Sequence, residues 1–198
     1  IVGRRGLRTI YYLPVVTPVV ATALLWMWIF QPRFGAINSV LAWFGITGPG
    51  WISSPEWAVP SLILVSVWSS AGSMMVIYLA GLQVIPEHLY EAAIIEGASP
   101  WHRFWRVTFP LLSPTTFFVA IMAVIDSFQA IDQVYLITAG GPGNVTNLFI
   151  FYIYQNAFRF FDFGYASAVA AILLLLLLLY AVVLIRLRRG LLAAPATA

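Results

Sequence analysis

Four long apolar stretches govern what this chain can fold into. They run roughly over 10–30, 57–82, 111–137 and 165–185, and about twenty helical residues are enough to cross the hydrocarbon core of a bilayer. The fourth holds an uninterrupted leucine run from Leu173 to Leu179, a surface suited only to lipid or to another apolar helix. Composition agrees: 62% of the residues are hydrophobic and 9% are charged, with a mean hydropathy of +0.92, whereas soluble domains carry about 25% charged residues. A soluble fold of 198 residues has too little interior to hide that much apolar surface, so lipid must cover part of it. The expected fold is all-α, a polytopic transmembrane helical bundle forming a single domain over 1–198.

The connecting segments differ in character. Residues 31–56 are rich in Gly and Pro, 83–110 contain three acids, two histidines and two arginines, and 138–164 open with Gly140-Gly141-Pro142-Gly143. All ten basic residues are arginine. Arg4, Arg5, Arg8, Arg103, Arg106, Arg186, Arg188 and Arg189 fall on one side of a four-span arrangement, and Arg33 and Arg159 on the other. The positive-inside rule assigns the first group to the cytoplasm, and with it both ends of the chain and the 83–110 loop. Tyr11, Tyr12, Trp26 and Trp28 flank the first stretch where an aromatic belt would sit. The opening Ile1-Val2-Gly3 carries neither an initiator Met nor a signal-peptide pattern, so an N-terminally incomplete chain is expected. Without cysteine, neither disulfides nor thiolate metal sites are available.

Local chemistry in 86–110 specifies two short helices. Pro86 begins the first, where a missing amide costs nothing, and Glu87 complements the positive end of its dipole. Gly97 ends it, able to take a left-handed conformation. Ser99 then caps a second helix with Pro100 at its first position. The first helix is about ten residues long, too short to stand alone in water, and Leu89, Ala92 and Ala93 fall on one face, as if to dock against something. A plain surface helix at the membrane satisfies the same pattern.

The residues themselves go further. Glu91-Ala92-Ala93, Gly97 and Phe109-Pro110-Leu111 resemble the EAA motif of binding-protein-dependent ABC importer permeases: EAA, three residues, Gly, and a Leu-Pro a dozen or so residues on. Ala98 fits; Glu96 replaces the usual Asp, and Phe109 the usual Leu. A second series, Thr138, Gly140-Gly141-Pro142, Thr146, Tyr154, Ala157-Phe158 and Gly164-Tyr165-Ala166-Ser167-Ala168, is similar to that of the sugar-importer permeases, the maltose- and glycerol-phosphate-type subunit above all. The resemblance implies a bundle of the type I ABC importer permease kind in a bacterial inner membrane, with six spans in the complete protein. It implies a coupling loop over 83–110 in which Glu91, Ala92, Ala93, Glu96, Gly97 and Ala98 meet a partner ATPase. It also implies a second permease subunit, an ATPase dimer, a periplasmic or lipid-anchored solute-binding protein and a sugar substrate. The chain itself would be no enzyme and hold no cofactor, since ATP and Mg belong to the ATPase; no nucleic-acid partner is expected.

Intramembrane polar groups are expensive and usually functional. Asp126, Gln129, Asp132 and Gln133 lie in the third stretch beside Phe128. On a continuous helix Asp126, Gln129 and Gln133 share a stripe, and Asp132 stands about 120° away. They suit a water-filled path, with amides and carboxylates for sugar hydroxyls and Phe128 as a stacking ring; bonding between subunits or to backbone is the competing use. Ser66, Ser69, Ser70 and Ser73 beside Gly72 fit close helix packing as well as a path. Two carboxylates pointing apart on one helix do not make an aspartyl protease, and His88 and His102 are a weak case for metal. Gly140–Gly143 lacks the Gly-Lys-[Ser/Thr] of a phosphate loop, and Asn144-Val145-Thr146 is a glycan acceptor in form only. A secondary transporter or channel for small polar solutes is the remaining alternative; the former would show repeats and matching broken helices.

Overall fold

The computed structural model describes residues 4–192, with side chains over 6–186. The side chains of Arg4, Arg5, Arg188 and Arg189, part of the arginine count, lie outside the described residues. Every regular element among the described residues is helical: α1 Arg4–Val16, α2 Val19–Ile29, α3 Ala36–Trp43, α4 Pro55–Val84, α5 Glu87–Ile95, α6 Pro100–Arg103, α7 Phe109–Leu111, α8 Ser113–Phe128, α9 Ile131–Gln133, α10 Phe149–Tyr154 and α11 Phe163–Leu192. Single π-helical turns, Phe104–Thr108, Val134–Thr138 and Gln155–Arg159, follow α6, α9 and α10.

Three helical stretches are long and apolar enough to cross a membrane, Pro55–Val84, Ser113–Thr138 and Phe163–Arg186. The stretch at 10–30 departs from expectation, because it is two helices, and it supplies a fourth crossing only if the bent pair acts as one span. Pro18 causes the break: it has no amide to donate, and it biases Thr17 away from helical angles. Thr17 Oγ1 donates to Leu13 O at 2.9 Å. The outer surface is what lipid requires, with Leu174, Leu175, Leu178 and Leu179 each more than half exposed.

The chain forms two compact units, with α4 and α8 passing through both. The first takes in the described residues through Thr17 together with 67–123. In it α4 meets α1 at Gly72, where a Cβ would strike the Tyr11 carbonyl and reach Val15 Cγ2 at 2.8 Å. Gly81 admits Thr115 of α8 in the same way, its Cγ2 3.0 Å from where a Cβ would stand. Small residues thus let helices approach closely in a solvent that gives apolar faces no drive to associate.

The second unit takes in 18–66 and 124 onward. Here α2 packs on α9 and the turn after it, burying Trp26, Phe30, Val134 and Ile137 with Ala58, Leu62 and Val65 of α4. Trp26 is therefore no part of an aromatic belt: it is 8% exposed and its ring lies 5.1 Å from that of Phe30, whereas Trp28 is 56% exposed. The 31–56 connection is organised by Asn38, which donates to Pro32 O and Pro49 O and accepts from Trp51 Nε1 at 2.7 Å. Trp51 O in turn accepts from Ser61 Oγ at 2.9 Å, tying the connection to α4.

After the Val134–Thr138 turn the chain reverses through Ala139 (φ 48), Gly140 (φ 87), a cis Gly141–Pro142 bond, Gly143 (φ 58) and Asn144 (φ 66). Thr146, wholly buried, closes the turn: its hydroxyl donates to Gly141 O at 2.7 Å and meets Thr138 Oγ1 at 2.8 Å. Gly140 abuts Phe151, whose Cε1 lies 2.8 Å from where a Cβ would stand. The Thr138, Gly140-Gly141-Pro142, Thr146 series thus describes a self-bonded turn. Thr146→Val should lower stability by about 1–3 kcal/mol, the cost of leaving buried partners unsatisfied. A thermal melt of the purified protein that does not move would show the hydroxyl pair to be dispensable.

Candidate functional site

α5 and the turns on either side of it are largely exposed. Pro86 precedes the helix (φ −62, ψ 133) and Glu87 occupies its first turn, so the helix starts one residue later than the proline alone suggested. At the other end Gly97 has φ +77, its N–H bonds Ile94 O at 2.9 Å, and Ala98 N–H reaches back to Ala93 O at 2.9 Å. That pair of bonds is the Schellman motif, and it satisfies carbonyls that would otherwise be orphaned. Ser99 Oγ accepts from His102 N at 3.3 Å, capping α6 with Pro100 inside its first turn.

No residue of α5 is fully buried. Leu89, Tyr90 and Ala93 are half-buried against the chain, and Tyr90 OH meets Thr108 Oγ1 at 3.0 Å. His88, Glu91, Ala92 and Ile95 form the outward face, all exposed, Ile95 at 86%; at about 100° per residue these four fall within one third of the helix circumference. The structure therefore separates Ala92 from Leu89 and Ala93, which the residue pattern had placed on one docking face. Ala93 looks into the chain, because the Tyr90 tie to 104–108 fixes how α5 is rolled. Glu96 and Gly97 are exposed and Ala98 half-buried. Ile95, missed in the sequence reading, is the largest apolar group on the outward face, and the 3.6-residue period through His88, Ala92 and Ile95 would have found it.

The polar residues of the third stretch are arranged differently from a continuous helix. α8 ends at Phe128, and Ile131 N bonds Gln129 O at 2.7 Å around Ala130 (φ −71, ψ 50). This is an inverse γ-turn, so Asp126 and Asp132 stand on separate helices and the predicted single stripe does not exist. Asp126, Gln129 and Asp132 are exposed, and Phe128 is half-buried. Gln133 is turned to α4, where its Oε1 accepts from Ser66 Oγ. Of the serine series, Ser66 thus serves packing within this unit.

Among the described residues no three His, Cys, Asp or Glu side chains come together to hold a metal. His88 and His102 are both exposed.

Residues 2–191 match the family of binding-protein-dependent transport system inner membrane components. The chain is 37% identical over 92% of its length to the sulfoquinovosyl glycerol transport system permease protein SmoG of Agrobacterium fabrum. It is 33% identical over 94% of its length to the trehalose/maltose transport system permease protein MalF of Thermococcus litoralis. It spans 59% and 63% of the length of these two relatives. A crystal structure of a bacterial ABC transporter that imports the acidic polysaccharide alginate contains a chain similar to this one, with a TM-score of 0.83 and 26% identity over 94% of this chain and 66% of that one. The fold is accordingly that of an ABC importer permease, an integral multi-pass membrane bundle. With the family match running nearly end to end, the chain belongs to the binding-protein-dependent transport system inner membrane components.

Proposed function

We propose that this chain is part of the membrane-spanning subunit of an ATP-driven, binding-protein-dependent sugar importer. The observation that carries the reading is the outward face of α5, an exposed nine-residue helix that ends in a Schellman turn at Gly97, in a chain of this family. A helix so short has little stability of its own, and an exposed apolar residue in its last turn such as Ile95 fits a groove on a partner. In the proposed complex that partner is an ATPase dimer. Its closure pushes on Glu91, Ala92, Glu96 and Gly97, while the Leu89, Tyr90 and Ala93 side passes the displacement to 104–108. ATP and Mg stay with the ATPase. A second permease subunit completes the path, and a solute-binding protein delivers the sugar from outside.

Relatives named for sulfoquinovosyl glycerol, for trehalose and maltose and for lactose support a carbohydrate substrate. A related alginate transporter has been crystallised in complex with an alginate pentasaccharide-bound periplasmic protein, which supports a binding-protein partner. Asp126, Gln129 and Asp132 are the groups of this chain proposed to face the path. The test is co-purification of the ATPase with the complete permease, and sugar uptake in proteoliposomes that stops when ATP is withheld. Uptake driven by an ion gradient without ATP would make the protein a secondary transporter.

The proposed orientation puts the α5 loop in the cytoplasm, from the arginine excess on that side. An alkaline phosphatase fusion after Arg103 should be inactive and one after Asn144 active. The reverse pattern would place α5 out of reach of any cytoplasmic ATPase.

A further inference from the structure

In the first unit α5 hangs between two connections. Ile85 and Pro86 join it to the end of α4, and residues 96–99, with the Gly97 turn, join it to α6. A short helix held only by its ends can roll about the line between them, and a push on its outward face is then lost in rolling. A third tie meets α5 from the side: Tyr90 OH and Thr108 Oγ1 lie 3.0 Å apart, both residues half-buried. Thr108 is the last residue of the π-helical turn Phe104–Thr108, downstream of Gly97 and of α6. That turn is braced. Its wide bond runs from Phe109 N to Phe104 O, and the rings of Phe104, Trp105 and Phe109 meet across it with centroids 5.1–6.4 Å apart. From Thr108 the helical bonds continue into α8, Leu112 N to Thr108 O at 2.9 Å and Thr116 N to Leu112 O at 2.8 Å. α8 in turn packs on α4 where Thr115 meets Gly81.

We infer that Tyr90 is a positioning residue for coupling: its bond to Thr108 makes α5 and the start of the α8 span move as one body. The covalent route from α5 to α8 runs through the 96–99 turn, where a left-handed glycine is the pliant part. The hydroxyl pair bypasses that turn and delivers a load on α5 directly to the braced π turn, a feature that recurs at functional sites. Tyr90 acts through α5 and touches neither sugar nor ATPase. Because both residues are half-buried, a hydroxyl left alone by a substitution can bond water, so the fold loses little. What is lost is the share of time α5 spends joined to the span, by about fivefold for the net worth of one hydrogen bond. The inference rests on the import reading and deepens it by naming the contact that holds α5 to the span.

The test uses the whole transporter in proteoliposomes with its loaded binding protein, and reads sugar imported per ATP hydrolysed, ATPase co-purification and a thermal melt. Tyr90→Phe, which keeps the ring and removes the hydroxyl, should lower the sugar-to-ATP ratio about fivefold, with the ATPase retained and the melt close to wild type. Thr108→Val should do the same, and the double variant should be no worse than either single one, since the bond is already gone. Thr108→Ser keeps a hydroxyl and should keep the wild-type ratio, a rescue that packing alone would not give. An unchanged ratio in Tyr90→Phe would overturn the inference, and so would a double variant whose losses multiply. Release of the ATPase by Tyr90→Phe would overturn it too, by making Tyr90 part of the docking face. So would a lowered melt with an unchanged ratio, which would leave the bond a purely structural one. Wild-type uptake that does not depend on ATP would remove the import reading itself, a result distinct from ATP-driven uptake that Tyr90→Phe leaves intact.

Discussion

Gly97→Val should uncouple ATP hydrolysis from the loaded binding protein and abolish transport while the membrane bundle stays folded. Gly97 has φ +77, and nothing lies within 4 Å of where a Cβ would stand. The substitution therefore meets no neighbour, and its whole cost is the left-handed backbone, about 1–2 kcal/mol for a residue with a side chain and worst for a β-branched one. That penalty falls on α5, nine residues long and unstable by itself; losing the Ala98-to-Ala93 and Gly97-to-Ile94 bonds unwinds its last turn and moves Ile95. Gly97→Asn, which tolerates this conformation, should keep most of the coupling, and Gly97→Ala should fall between. Ala92→Glu should release the ATPase without disturbing the fold, because Ala92 faces outward. Ala93→Glu should lower thermal stability as well, since Ala93 is half-buried within the chain. The measurements are ATPase co-purification, stimulated hydrolysis in proteoliposomes and a thermal melt of each variant. Unchanged stimulation in Gly97→Val would reduce α5 to a surface connection.

Features that depend on a residue's immediate neighbours in sequence could be read directly. Gly97 and the Ser99-Pro100 start of α6 needed no tertiary information, because a cap is a contact among residues at most five apart. The apolar stretches were legible because lipid selects on length and composition. Pro18 was equally visible, yet the 10–30 stretch was read by its hydropathy, which a missing amide does not alter. The break at Ala130 was not legible. Neither Gly nor Pro marks it, and an inverse γ-turn is open to any residue. Its effect was large all the same, because a periodicity argument assumes an unbroken helix and fails beyond the first interruption. The roll of α5 was hidden for another reason: Leu89, Ala92 and Ala93 are all compatible with a partner, and it is the Tyr90–Thr108 bond, 18 residues apart in sequence, that turns Ala93 inward and Ala92 out. Trp26 shows a different ambiguity, since a tryptophan near the end of an apolar stretch fits a belt as well as it fits burial beside Phe30.

Leucine at Asp126 or Asp132 should cut sugar uptake at least tenfold without loss of folded protein, whereas leucine at Gln133 should cost stability first. Asp126, Gln129 and Asp132 are exposed around the γ-turn at Ala130, and Gln133 is bonded to Ser66. A carboxylate facing hydrocarbon costs about 2.5–3.5 kcal/mol on insertion scales, so two exposed aspartates within seven positions need water or a partner's polar groups before them. Broken helices in membranes are tolerated where the irregular backbone is buried in protein or lines a water-filled cavity, and the free carbonyls of a γ-turn need the same hydration as the carboxylates. Both facts point the 126–132 segment toward the path. If the two aspartates line it, their leucine variants remove groups that bind sugar hydroxyls or water while easing insertion, so expression rises or holds as uptake falls. Gln129→Leu should behave likewise. For Gln133 the measurement is a double-mutant cycle with Ser66→Ala: a coupling of about 0.5–1.5 kcal/mol is expected for a hydrogen-bonded pair, with uptake following the amount of folded protein. Normal uptake in all three of the Asp126, Gln129 and Asp132 variants would take the segment out of the path. Loss of the folded protein in those variants would make it a contact with the partner subunit, and the γ-turn a packing device.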